Sequence, residues 1–391
     1  MLLPRPEIKI TIFFIAEFYH RHGAPRQKLA PNLPRNVYNS MFCGVWRCTN
    51  RHFPFVFHIV RVFRGLPNAE SKAPCVLTIG NFDGVHLGHQ ALLARMRAAG
   101  AARGLSTCVM TFEPHPREYF APQHAPARIS NLRDKLEALD AQGVDRLVVE
   151  HFNAHFAGQS PEQFVRNIIV DGLHTRWLLV GDDFRFGAKR AGDFAYLQEA
   201  GKRYGFEVEQ LSTIAHDGIR ISSSEVRAAL AEGDFERAHT LLGRPFMISG
   251  HVVHGMKLGR DLGFPTLNLR IAHRHPALTG IFIVQVHGLA STPLPGVASL
   301  GLRPTVDDSG RYLLETHLLD FVGDAYGKLV RVEFLRKLRD EQKYDGLDAL
   351  QAAIAEDTAQ ARAFFAQGRP YAATTATGQR DFATSATDRI S

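Results

Sequence analysis

The stretch Gly80-Asn81-Phe82-Asp83-Gly84-Val85-His86-Leu87-Gly88-His89 constrains the fold of this chain more than any other. The apolar run Cys75 to Ile79 leads into it, and Gln90 to Ala102 follows with helical apolar spacing. It reads as strand, glycine turn and helix start, the arrangement in which α/β proteins hold phosphates. Gly80, Gly84 and Gly88 allow positive φ or a close approach of backbone to a ligand. His86 and His89 are three apart, so a helical backbone puts both imidazoles on one face. There they would join free N–H groups and the positive end of the helix dipole in gripping a polyphosphate. The P-loop pattern GxxxxGK[ST] is absent, so this is a nucleotide site of another kind. A lone His-x-x-His pair is most often two surface histidines, and a lone glycine turn is only a turn. Joined between strand and helix, the two favour a site. Zinc would need a third ligand at suitable spacing, and none is near.

A chain of 391 residues has room for two domains with proper cores. A hydrophobic fraction of 45% with 22% charged residues is that of a globular protein. The net charge of +7 suits anionic ligands, but no lysine/arginine block interleaved with aromatics argues for nucleic acid. Cys43, Cys48, Cys75 and Cys108 have neither CxxC spacing nor a disulfide framework, which favours the reducing cytoplasm. No apolar run approaches the roughly 18–20 residues that span a bilayer, so no membrane partner is expected.

Residues 1–57 scatter prolines, arginines and aromatics without periodicity. They read as a leader outside both domains: disordered, or upstream of the true start, with targeting the least supported option. Regular structure is expected from His58-Ile59-Val60-Arg61-Val62-Phe63. From Cys75 to Leu242 strands alternate with helices. Ser130 is read as the N-cap of a helix over Leu132 to Ala141, and Ser160-Pro161 as the start of one through Val170. Such alternation predicts a mostly parallel sheet covered on both faces, with ligand loops at the carboxyl ends of its strands. Three more loops fall at such ends: Thr111-Phe112-Glu113-Pro114-His115-Pro116, Gly181-Asp182-Asp183-Phe184-Arg185-Phe186-Gly187 and Ile221-Ser222-Ser223-Ser224-Glu225-Val226-Arg227. The serines serve either as a plain N-cap or as a second phosphate-binding helix start, with Arg227 one turn in.

Near Gly243-Arg244-Pro245 the period changes. Five or six strand-like runs between Phe246 and Leu335, parted by glycine, proline and polar turns, predict a small antiparallel barrel. A helix over Leu347 to Phe365 follows, and the tail 369–391 has no core-forming pattern. Within Pro265-Thr266-Leu267-Asn268, the oxygens of Thr266 and Asn268 share a strand face and could hold magnesium; an ordinary hairpin is the alternative. In Leu313 to Asp320, alternation puts Glu315, His317 and Leu319 opposite Leu314 and Leu318. Glu315 is then either structural or a general base.

Taken together, GNFDGVHLGH, TFEPHP, VGDDFRFG, ISSSEVR, LGFPTLN, SLGLRPT and LETHLLDF resemble the bacterial bifunctional riboflavin kinase/FMN adenylyltransferase (FAD synthetase) family, from about Val60 to Phe365. The family's usual PTAN stands here as Pro265-Thr266-Leu267-Asn268, which keeps both presumed magnesium ligands. The resemblance implies an α/β nucleotidyltransferase-type, Rossmann-like parallel sheet domain over 58–243. A small antiparallel β-barrel kinase domain with a C-terminal helix would follow over 244–368. It implies ATP-dependent phosphorylation of riboflavin to FMN in the barrel, and adenylylation of FMN to FAD with release of pyrophosphate in the first domain. His86 and His89 would stabilise the ATP phosphates, with nucleotide contacts from Gly80, Phe82, Asp83, Gly84, Ser222, Ser223, Ser224 and Arg227, and from Gly255 and Gly259 in the kinase. Asp182, Phe184 and Arg185 would lie near the flavin. Thr266 and Asn268 would ligate Mg²⁺, and Glu315 would take the proton of the ribityl hydroxyl. A monofunctional adenylyltransferase with an inert barrel is the nearest rival. A flavin-binding regulator is the rival from another class.

Overall fold

The computed structural model describes residues 60–68, 71–212, 215–216, 219–255, 264–271, 273, 275–302 and 312–368. The expectations for the leader, the tail and Gly259 lie outside the described residues. The chain forms two compact units: residues up to Phe246 with His273–Ala277, and the remainder from Met247 onward.

In the first unit β1 (Arg61–Arg64), β2 (Cys75–Ile79), β3 (Ser106–Glu113), β4 (Arg146–His151), β5 (Thr175–Gly181) and β6 (Glu207–Leu211) make one parallel sheet. Its order is β1-β4-β3-β2-β5-β6, so the winding reverses between β2 and β5, and after β6 a short antiparallel ribbon follows, β7 (Ala215–His216) with β8 (Ile219–Arg220). Open α/β sheets bind ligands outside the carboxyl ends of the strands at such a reversal. β2 lies at the centre and is buried along its whole length, as its unbroken apolar run requires. Cys75, Leu77 and Ile79 face one core with Met110, Ile168 and Leu178. Val76 faces the other, with Leu93, Met96, Val109 and Trp177.

Besides the short turns of helix Pro116–Phe120 and Ala154–Ala157, the helices are α1 (Leu87–Arg103), α2 (Leu132–Asp140), α3 (Pro161–Phe164, widening into a π turn over Val165–Val170), α4 (Phe194–Tyr204), α5 (Ser223–Glu232) and α6 (Phe235–Leu242). One expected cap is wrong. Asn131, not Ser130, accepts the Asp134 N–H at the start of α2. Ser130 is already engaged: its hydroxyl accepts the Gly84 N–H at 3.1 Å and its own N–H goes to Asp83.

In the second unit β9 (Met247–His251), β10 (Thr266–Arg270), β11 (Gly280–His287), β12 (Leu294–Leu302), β13 (Tyr312–Leu318) and β14 (Leu329–Arg339) pair antiparallel in the order β10-β13-β12-β11-β14-β9. A bridge between Val253 and Asn268 nearly closes this sheet into a barrel, which leaves little free strand edge. Helix α7 (Leu347–Ala366) packs Ala361, Phe364 and Phe365 against Ile281, Ile283, Val297 and Leu319. Leu319 is therefore core and does not share the face of Glu315. Strand β13 ends at Leu318 and Asp320 takes φ 57°, so the alternation has stopped by then.

A two-pronged ion pair joins α7 to β14: Arg339 donates to both carboxylate oxygens of Asp357 at 3.0 and 2.7 Å, and Asp357 is buried. Asp357→Ala should cost about 2–3 kcal/mol, because it leaves a half-buried guanidinium without its partner. Thermal or urea unfolding of the variant checks this; an unchanged midpoint would mean that apolar contacts alone hold the helix.

Candidate active sites

The Gly80–His89 turn is conformationally expensive. Phe82 and Val85 sit at φ 47° and 41°, and a β-branched residue rarely accepts positive φ. Burial holds them there, since both side chains are packed in the core with Leu93 and Met96. Phe82, expected at the nucleotide, is thus an anchor of the turn. Asp83, also expected there, is only 1% exposed. Its carboxylate accepts the N–H groups of Ile129 (3.2 Å) and Ser130 (3.0 Å) and Nη2 of Arg227 (2.9 Å). Burial alone would raise the Asp83 pKa, but Arg227 and those N–H groups outweigh it and hold the carboxyl below its usual range. Asp83 and Arg227 build the turn together.

Two helix starts meet at this turn. His86 caps α1, its Nδ1 accepting the His89 N–H at 3.3 Å. That bond fixes the proton of the neutral ring on Nε2. The His86 and His89 rings stack at 3.7 Å, and Nδ1 of His89 is buried without a partner. Burial, aided by Arg227, brings His86 down to about 4. Burial, with His86, Lys135, Arg227 and Arg244 nearby, takes His89 well below its ordinary value. Both imidazoles are neutral at pH 7 and surrounded by cations. At Gly88 a Cβ would lie 3.1 Å from His86 Nδ1 and 3.3 Å from Ile221 O, so glycine lets the start of α1 close on the segment before α5.

Across that contact, Ser222 caps α5 through the Glu225 N–H and Ser223 Oγ donates to Asp83 O at 3.0 Å, while Ser224 is exposed. The plain N-cap reading therefore holds for Ser222, and the second helix start still converges on the first. At the end of β5, Asp182 and Arg185 are exposed, Arg185 lying 4.0 Å from Asp193. Phe184 stacks on Phe186 at 5.8 Å.

Sequence reasoning missed the outer braces. Arg244 donates to Gly84 O at 2.6 Å and Val85 O at 3.0 Å, and Gln90 donates to Val85 O and Leu242 O. Gly243-Arg244-Pro245 had signalled only a change of period. A brace that reaches back some 160 positions leaves no local pattern.

In the second unit the β10–β13 register sets Asn268 opposite Glu315 and Thr266 opposite His317, and Ser299 of β12 faces Glu315 from the other side. Directly opposed residues share a face, with Cβ atoms about 5 Å apart. Glu315 is exposed, so its carboxylate faces outward rather than into an apolar surround. Asn268 is 3% exposed; its Nδ2 donates to Thr266 O at 3.4 Å, and its Oδ1 is buried without a partner. A Cβ on Gly255 would fall 2.4 Å from Asn268 Nδ2, so only glycine fits beside that amide. An orphaned carbonyl oxygen near a threonine hydroxyl is a donor set suited to a hard divalent cation.

Comparison with known proteins gives a consistent result. The family model for FAD synthetase matches residues 68–225, and that for riboflavin kinase matches 242–365. A Pseudomonas fluorescens protein, bifunctional riboflavin kinase/FMN adenylyltransferase, is 49% identical over 78% of this chain and 98% of its own. Its Escherichia coli (strain K12) counterpart is 48% identical over 80% and 100%. A solved structure described as a macrolide-efflux protein from Streptococcus pneumoniae aligns with TM-score 0.62 and 28% identity, covering 78% of this chain and 99% of that one. Among the described residues no helix is long and apolar enough to cross a membrane.

The buried imidazoles make a pH prediction. His86, His115 and His273 all lie at about 4 because burial disfavours their charged forms. Unfolded, each would titrate near 6.5. Between about 6.5 and 4 the unfolded chain binds more protons, so their stability is fully present above 6.5 and is lost as pH falls towards 4. The melting temperature should therefore drop between pH 6.5 and 4.5. His115→Asn keeps a capping acceptor for the Arg117 N–H and should flatten part of that drop. An identical slope in the variant would remove His115 from the account.

Proposed function

The chain belongs to the bifunctional riboflavin kinase/FMN adenylyltransferase family, with its FAD synthetase domain N-terminal to its riboflavin kinase domain, and from that premise we propose how its residues divide the two reactions. Adenylyl transfer from ATP to FMN belongs to 58–243 and phosphorylation of riboflavin by ATP to 244–368, both in the cytoplasm. The observation that carries the first assignment is the convergence of two helix N-termini on His86 and His89. Neutral imidazoles there donate N–H groups to phosphate oxygens, and Arg227 and Arg244 behind them favour the charge that builds on the departing pyrophosphate. FMN brings an already ionised phosphate as nucleophile, so this site needs no general base; positioning and charge stabilisation are enough. Gly80, Gly84 and the α5 start at Ser222–Ser224 line the nucleotide side, while Asp182, Phe184 and Arg185 serve the flavin.

For the kinase, the Asn268–Glu315 register carries the reading. Glu315 removes the ribityl proton as the γ-phosphoryl group is transferred, and its exposure lets it pass that proton on to water. Thr266 and the free Oδ1 of Asn268 would hold Mg²⁺, which would neutralise phosphate charge when bound. Gly255 keeps the backbone close to that amide. The rival with an inert barrel would not need these groups together.

Replacing both His86 and His89 by Ala should abolish FAD formation while riboflavin phosphorylation stays near wild type. Removing one charge-stabilising donor commonly costs about 10²–10³-fold. Product analysis with FMN and ATP, beside riboflavin and ATP, checks this, and normal FAD synthesis would sink the site.

Glu315→Gln should do the reverse. Riboflavin phosphorylation should fall about 10²-fold or more, while added FMN still becomes FAD. An exposed position predicts an unchanged melting temperature. Full kinase activity in this variant would end the general-base assignment.

A further inference from the structure

Lys135 of α2 is a fully buried ammonium that the two reactions above leave unused. Its Nζ donates to Thr111 Oγ1 at 3.4 Å, and that hydroxyl donates to Asn81 O at 3.1 Å, which links the ammonium to the Gly80–His89 turn. Three N–H donors thus meet one long hydrogen bond among the described residues. The charged and titratable groups whose fields act on it or feel its own are Asp83 in the turn, His89 on α1, Glu113 at the end of β3, His115 and Glu118 just beyond, and Arg128 before α2. The acids are already committed. Asp83 is paired with Arg227 at 2.9 Å, and Glu113 and Glu118 with Arg128 at 2.5 and 2.8 Å. A buried ammonium bonded this poorly weakens the fold. Its link through Thr111 to the Gly80–His89 turn supplies the compensating use.

We propose that Lys135 is a buried counter-charge for the pyrophosphoryl group gripped at the Gly80–His89 turn, a positioning residue that acts through its field. This rests on the adenylyl-transfer reading above. Burial first, with Arg128 adding, lowers its pKa to about 8, against the pull of Glu113, Asp83 and Glu118. A polyanion in the turn would draw the ammonium back towards its ordinary value. Pyrophosphate binding above pH 8 should then take up a proton at Lys135.

The test runs adenylyl transfer backwards, FAD plus inorganic pyrophosphate giving FMN and ATP, because pyrophosphate takes no part in the kinase reaction. In the full-length wild type, KM for pyrophosphate should rise above about pH 8. Lys135→Met should raise that KM about tenfold or more at pH 7 and lose the limb. Lys135→Arg, which stays charged, should keep a low KM to pH 9. The Met variant should melt no lower than wild type and phosphorylate riboflavin normally, since it removes a poorly bonded charge. A wild-type KM and limb in the Met variant would overturn the proposal. So would an unmoved limb in the Arg variant, which would assign the titration to another group. If the His86/His89 double variant catalyses the reverse reaction normally, the adenylyl-transfer reading itself has failed, whatever Lys135 does.

Discussion

The buried pair of Asp83 and Arg227 is the interaction on which the first site depends. It fastens a turn with two non-glycine residues at positive φ, each costing about 1–3 kcal/mol, to the helix start that forms the opposite wall. Losing one partner of such a pair commonly costs about 3–5 kcal/mol, because the other charge is left buried and alone. The turn is also held by the N–H groups of Ile129 and Ser130, the Ser130 hydroxyl and Arg244. Strain at a site persists only when its surroundings over-determine it, and these bonds do so. The imidazoles then meet at 3.7 Å without choosing their own geometry.

Much of this was legible because it is periodic or local. Alternating apolar runs and helical spacings gave the parallel sheet. The change of period near Gly243 gave the antiparallel strands, and the glycine turn after the central strand marked the edge where two helix starts meet. Side-chain allegiance was not legible. Nothing local distinguishes a Phe that stacks on a ligand from Phe82, which anchors a strained turn. Nor does sequence say that Ser130 will spend its hydroxyl 46 positions away and leave the cap to Asn131. Helix α6 had a readable signal that went unused: Asp234 caps it, and Phe235, Ala238 and Leu241 recur on its buried face.

The barrel divides in the same way. Alternation assigned Glu315 to the face opposite Leu314 and Leu318, and that face is the outer one. Its partner across the ladder could not be read, because register between strands some 50 residues apart depends on the whole sheet closing. Leu319 failed for the opposite reason: the alternating pattern was extended one residue past the end of the strand.

The two carboxylates make clear why burial, rather than residue type, separates structure from chemistry here. Asp83 is 1% exposed and bonded on both oxygens, so protonating it would break the turn, and its surroundings hold the charge in place. A group fixed in that way cannot relay protons. Glu315 stands exposed on the ladder opposite Asn268 and Ser299, in contact with water, as the general base proposed above requires. The histidines obey the same rule. With His86 at about 4 and its Nδ1 occupied, the ring at pH 7 can only donate from Nε2. In the division proposed above it is a donor to anionic oxygen and not a base. A reaction whose nucleophile is already ionised therefore fits the buried site, and one whose nucleophile is an alcohol fits the open one.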